Sequence, residues 1–138
     1  MAVRDTFHEA VRNALVKEGW TITHDPLSLS FGGVDLYIDL GAEKMIAAER
    51  EGQRIAVEIK SFSGPSLVSD FHAALGQFLN YRLVLEAQDA ARDLYLAVPL
   101  DAHAVFFSLP FAQAAIQRYQ LRLLVYDGQK EEIVQWQS

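Results

Sequence analysis

Apolar residues recur at helical spacing near the start of the chain. Phe7, Ala10, Val11, Ala14 and Leu15 form one stripe, which predicts an amphipathic helix over Arg4–Glu18. Asp5 is placed to cap this helix and Gly19 to stop it. The period then shortens to two. Trp20–His24 alternates as a short strand, and Asp25-Pro26 signals a turn. Leu27, Leu29 and Phe31 alternate with serines until Gly32-Gly33 interrupts, and Val34–Leu40 predicts a further strand. Met45–Arg50 and Arg54–Ser61 predict a hairpin closed at Glu51-Gly52. In its second strand Ile55, Val57 and Ile59 face one way, and Ala56, Glu58 and Lys60 the other.

Ser63-Gly64-Pro65-Ser66 reads as a loop before a long helix over Asp70–Glu86, with Phe71, Leu75, Phe78, Leu79 and Arg82 on one side. Leu94–Val98 is nearly all apolar, as suits a strand buried on both faces, and Pro99 ends it. Pro110 opens a third helix that runs to Tyr119. Leu121–Tyr126 and Glu132–Trp136 predict two last strands around an Asp127-Gly128 turn. This order predicts an α/β fold over residues 1–138, one domain with a mixed central sheet flanked by helices.

Composition narrows the function. With 138 residues, 51% hydrophobic and 22% charged, the chain has the means to bury a core and is not of the disordered kind. It has no cysteine, which excludes a disulfide framework, a Cys-based zinc site and a thiol nucleophile. No apolar run approaches the roughly 18 residues of a membrane span. Met1–His8 lacks the pattern of a signal or transit peptide, so a soluble, cytoplasmic protein with no membrane partner is expected. The formal charge of −6 changes the picture further. A protein that grips DNA mainly by its phosphates carries an excess of Lys and Arg. Any nucleic-acid role here has to rest on a local site, a metal ion or a basic partner.

The candidate chemistry centres on Glu58-Ile59-Lys60. Alternation puts Glu58 and Lys60 on one face of the strand, roughly 6–7 Å apart at their Cα atoms. A carboxylate can hold a hard divalent cation, and the neighbouring ammonium can hold a water or stabilise charge on a phosphate. Asp39 and Glu43 lie upstream, and hairpin pairing is expected to bring Glu43 beside Glu58. Two acids and a lysine around a metal make a site for attacking a phosphodiester with activated water. Acid, any residue, lysine occurs by chance about once in a chain of this size. The plainer reading is a solvent-facing charged pair. The apolar strand around it, the upstream acid and the helix that follows favour chemistry.

That arrangement resembles the PD-(D/E)XK nuclease superfamily, whose restriction-endonuclease-like core runs helix, three strands, helix, strand (αβββαβ). The resemblance implies Mg²⁺ or Mn²⁺ held by Glu58 and an upstream acid, with Lys60 serving catalysis and the Ile59 carbonyl as a further ligand. The chain lacks the Pro-Asp often found before the second strand of that core. Glu43, nearer the hairpin, is preferred as the upstream acid, with Asp39 as the alternative. Related resolvases supply a glutamate from the first helix, and counting back from Gly19 that position falls on His8. Helical geometry also puts His8, not Glu9, beside the apolar stripe. A neutral imidazole there can ligate a metal or bind a phosphate, although a histidine at the edge of a stripe is often only structural. Gln77 and Tyr81, one turn apart on the second helix, match a Gln-x-x-x-Tyr pair of some nucleases.

The whole chain is similar to the XisH family, the fdxN-element excision controlling factors of cyanobacteria. Glu18-Gly19-Trp20-Thr21-Ile22-Thr23-His24-Asp25-Pro26, Asp39-Leu40-Gly41-Ala42-Glu43-Lys44, Ala56-Val57-Glu58-Ile59-Lys60-Ser61-Phe62 and Glu132-Ile133-Val134-Gln135-Trp136 carry that likeness. It implies an accessory role in programmed DNA excision, beside a site-specific recombinase and a second controlling factor of the XisI type. A catalytically inactive adaptor that binds one of those partners is the alternative, and the acidic charge favours it. A homodimer is a further expectation, because symmetric pairs are the commonest soluble oligomers. Elsewhere, His24 and Asp25 read as turn residues, and His72 and His103 lack ligand partners at suitable spacing.

Overall fold

A computed structural model describes residues 6–44 and 52–138. The alternation seen in the sequence becomes a six-stranded mixed sheet with an apolar layer on each side. Its strands are β1 (Thr21–His24), β4 (Leu40–Lys44), β5 (Gln53–Ile59), β6 (Asp93–Pro99), β7 (Leu123–Asp127) and β8 (Glu132–Gln137), in the order β1-β4-β5-β6-β7-β8. β2 (Leu27–Phe31) and β3 (Val34–Ile38) form a separate two-stranded hairpin. β5, β6 and β7 run parallel, and β1/β4, β4/β5 and β7/β8 are antiparallel.

Strand parity decides which helix each residue meets. Ile55, Val57 and Ile59 pack with Tyr95, Ala97, Leu124 and Tyr126 against α1 (His8–Lys17) through Val11 and Leu15. The other face carries Ala56, Leu94, Leu96, Val98, Leu123 and Val125. It is covered by α2 (Leu67–Gln88), through Phe71, Ala74, Phe78 and Tyr81, and by α4 (Pro110–Tyr119), through Ala112, Ala115 and Ile116. β5 from Ile55 and β6 from Leu94 are therefore buried on both faces, which is why these stretches are apolar apart from Glu58.

Several boundaries differ from expectation. α2 starts at Leu67, three residues early, because the Ser66 hydroxyl accepts the Ser69 N–H at 3.2 Å and caps it there. α1 starts at His8 after Phe7, and the expected cap Asp5 lies outside the described residues. Gly19 does end α1, at a φ of 91°. Between β6 and α4 the chain forms a short helix, α3 (Leu100–Ala102), that continues into a π-helical turn over His103–Phe107. No periodicity announced that segment, which brings Phe106 and Phe107 into the core.

The predicted Met45–Arg50 strand also lies outside the described residues. The strand that pairs with β5 is β4, so the register differs from the one expected. Leu40 pairs with Val57, Ala42 with Ile55 and Glu43 with Arg54.

Arg92 ties β5 to the end of α2. It is 7% exposed, donates from Nη1 to the Ile55 carbonyl at 2.9 Å and from Nε to Asp89 at 2.9 Å. Arg54 reaches the same carboxylate at 2.6 Å. Arg92→Ala strands a buried carbonyl and half of an ion pair. It is expected to cost about 3 kcal/mol in a denaturant titration, against less than about 1 kcal/mol for the exposed Arg118→Ala.

Candidate active site

Glu58 sits on the α2 face of β5 with 4% of its surface exposed, where a carboxylate is costly unless it is paired. The pairing of Leu40 with Val57 delivers the preceding residue, Asp39, opposite Glu58. The Asp39 N–H donates to Glu58 Oε1 at 3.3 Å, and Asp39 Oδ2 accepts the Ile59 N–H at 2.8 Å. Lys60, the next residue on the same face, places Nζ 3.9 Å from Glu58 Oε2. The Tyr126 hydroxyl donates to the Lys60 carbonyl at 3.0 Å and fixes the backbone where the strand ends.

Two carboxyls in so dry a place work against each other's ionisation. Burial pushes the Glu58 carboxyl up to about 9; its hydrogen bond to the Asp39 side chain and the Asp39 charge add to this, and Lys60 and then the Asp39 N–H pull the other way. Around neutrality Glu58 therefore keeps its proton unless a cation replaces it. Tyr81, on α2, is also pushed up, first by burial and then by the charges of Glu58 and Asp39, and hydrogen-bonds to Glu58. Its hydroxyl stays protonated and serves as a donor.

A third group closes the site from α1. His8 is 3% exposed, and its Nε2 lies 2.8 Å from Asp25 Oδ1. Arg12 Nη1 holds the other oxygen of Asp25 at 2.7 Å. An ionised carboxylate only accepts, so Nε2 carries the hydrogen, and in the neutral imidazole Nδ1 then has the lone pair. That Nδ1 lies 3.9 Å from Asp39 Oδ1 and, among the described residues, has no hydrogen-bond partner.

Such a donor set suits a divalent cation. Carboxylate oxygens and a backbone carbonyl are ligands for Mg²⁺ or Mn²⁺, and a buried carboxyl held protonated by its neighbour can exchange that proton for the ion. Asp39 and Glu58 are the residues that would hold it.

The family model for XisH protein matches residues 1–134. The chain belongs to the XisH family. Two solved structures agree with this assignment. An XisH family protein from Nostoc punctiforme PCC 73102 is 48% identical with a TM-score of 0.87, over 97% of this chain and 100% of that one. A fdxN element excision controlling factor protein from Anabaena variabilis is 50% identical, also with a TM-score of 0.87, over 98% of this chain and 100% of that one. No curated protein matches the chain.

In this XisH-family fold the residues singled out from sequence divide into two groups. Asp39, Glu58, Lys60, His8 and Tyr81 meet around the end of β5. The backbone of Glu43 is set apart from Glu58: it pairs with Arg54, four residues back along β5. The expected meeting of Glu43 with Glu58 rested on a hairpin strand beginning at Met45, and the observed strand begins five residues earlier. Gln77 is exposed on α2, although Tyr81 one turn later is buried. Sequence marks Asp25 only as a turn residue and does not mark Arg12 at all. Asp25 before a proline is indistinguishable from an ordinary turn residue, and Arg12 from an exposed helix charge. Among the described residues no helix is long and apolar enough to cross a membrane.

Proposed function

We propose that this chain is an accessory factor for site-specific excision of a DNA element, built on a PD-(D/E)XK nuclease-like scaffold whose site cleaves a phosphodiester with Mg²⁺ or Mn²⁺. The observation that carries this reading is the convergence of Asp39 and Glu58 on a central buried strand, with Lys60 one alternate position further on. The element order supports it. With the β2/β3 hairpin set aside, α1, β1, β4, β5, α2 and β6 run helix, three strands, helix, strand. The role in excision follows the relative from Anabaena variabilis.

When bound, the metal would polarise the phosphate and lower the pKa of an attacking water. The protein's own groups do the rest. Asp39 and Glu58 hold the ion at the strand end. Lys60 Nζ, held near Glu58, orients the water or offsets charge on the phosphate oxygens. Tyr81 donates to Glu58 and keeps its carboxyl in one rotamer. DNA, an XisI-type controlling factor and a recombinase are the partners this role requires.

The test is incubation with linear and branched DNA in Mg²⁺ or Mn²⁺. Cleavage is expected, with a loss of at least about 100-fold in Glu58→Ala and in Lys60→Ala. Cleavage that survives in the double variant would place the chemistry elsewhere. A second reading, a catalytically inactive adaptor for the partner controlling factor or recombinase, is favoured by the formal charge of −6. Stable partner binding without cleavage of any DNA form would establish it.

A further inference from the structure

We infer that His8 Nδ1 is a direct ligand of the divalent cation that Asp39 binds, with Asp25 as the residue that positions it, so that the site selects Mn²⁺ over Mg²⁺. The inference rests on the metal-site reading above and adds a nitrogen donor to it.

Three observations carry it. The imidazole is 3% exposed, so water cannot freely serve Nδ1. A buried acceptor left unpaired is costly and calls for an explanation. The Nδ1 to Asp39 Oδ1 separation of 3.9 Å is too long for a hydrogen bond. It does fit two ligands of one ion: bonds of about 2.1–2.2 Å put neighbouring ligand atoms roughly 3–4.3 Å apart, depending on the angle between them. Finally, Nε2 is held by Asp25, and Asp25 by Arg12, which fixes both the ring orientation and the tautomer. Carboxylate, histidine and metal in line is the usual way a protein orients an imidazole ligand.

The lone pair decides the choice of metal. Oxygen donors alone suit Mg²⁺, Ca²⁺ and Mn²⁺ alike, whereas an imidazole nitrogen favours the first-row transition ions. His8, Glu9 and Asp25 also bring ligand atoms within 4.8 Å of one another. An ion there would have to break the 2.8 Å contact between Nε2 and Asp25 and compete with Arg12. The Nδ1 side demands no such rupture.

Pulsed electron paramagnetic resonance of the full chain loaded with Mn²⁺ tests this without reference to activity. The wild type is expected to show nitrogen hyperfine coupling of an imidazole ligand. His8→Gln should still bind Mn²⁺, about tenfold more weakly, with that coupling lost, and Asp25→Asn should weaken binding by a similar factor. His24→Gln and Glu9→Gln should leave both signal and affinity unchanged. Preference for Mn²⁺ over Mg²⁺ in competition should shrink about tenfold in His8→Gln. Mn²⁺ bound with no imidazole coupling in the wild type overturns the inference and leaves the carboxylate site standing. Coupling that persists in Asp39→Asn but vanishes in Glu9→Gln moves the ion to the cluster with Glu9 and Asp25 and also overturns it. No Mn²⁺ binding at millimolar concentration overturns both readings together.

Discussion

At pH 8 and without divalent metal, the Glu58→Gln protein is expected to melt well above the wild type. Glu58 keeps its proton in the folded chain up to about pH 9, against an ordinary value of 4.5, chiefly because it is buried. Between these values the folded state holds a proton that the unfolded state has lost, so stability falls as pH rises. The slope reaches about 1.4 kcal/mol per pH unit. From pH 6 to pH 8 the wild type should therefore lose on the order of 2–3 kcal/mol from this one group, or roughly 5–10 °C in Tm. The substituted glutamine has the shape and donor of the protonated acid and nothing to titrate. Its amide oxygen can accept the Asp39 N–H that Glu58 Oε1 now accepts at 3.3 Å, and its NH₂ can donate to the Asp39 carboxylate.

Melting curves of the two proteins across pH 5–9 check this. The difference between them isolates Glu58, because every other titratable group is common to both. Parallel curves would overturn the assignment of a buried, proton-holding Glu58. Divalent metal should reverse the ranking at pH 8. An ion that displaces the proton stabilises only the protein that can bind it, and its effect grows with pH as the proton becomes easier to remove. The substitution that strengthens the metal-free fold thus removes the site, the usual relation between a buried functional charge and stability.

The legible parts of the sequence were those in which one pattern had one physical meaning. β6 could be read because a strand buried on both faces has to be apolar, and β5 because its residues alternate, with Glu58, and Lys60 just past its end, standing out against the apolar residues around them. α4 was legible at its start because Pro110 stands at its first turn. The π-helical turn at His103–Phe107 was not, since its apolar residues follow neither period. Half of the site shared that fate. Glu58 and Lys60 are fixed by a parity that sequence displays. His8, Asp25 and Arg12 come together only when α1 is laid against the turn after β1, and no spacing along the chain encodes that meeting.

The upstream acid shows how a small error in strand boundaries moves a site, and it yields the sharpest comparison. Asp39→Asn is expected to weaken Mn²⁺ binding by at least about 100-fold in a calorimetric titration, and Glu43→Gln by less than about twofold. Both acids fall on positions of the same parity, so alternation alone cannot separate them. Register does: Leu40 opposite Val57 sets Asp39 against Glu58, while Glu43 lies against Arg54, about 13 Å away along the strand. For Glu43 to serve, β4 would have to slide four residues along β5. That slide would carry Leu40 and Ala42, both 0% exposed, away from Val57 and Ile55 and would empty the layer under α1. Asp39→Asn has a second readout that a merely structural acid would not give. Its charge and hydrogen bond help hold the Glu58 proton, so Glu58 should titrate lower in this variant and the loss of stability with pH should begin to saturate earlier. A variant that keeps both the wild-type affinity and the wild-type pH profile would remove Asp39 from the site.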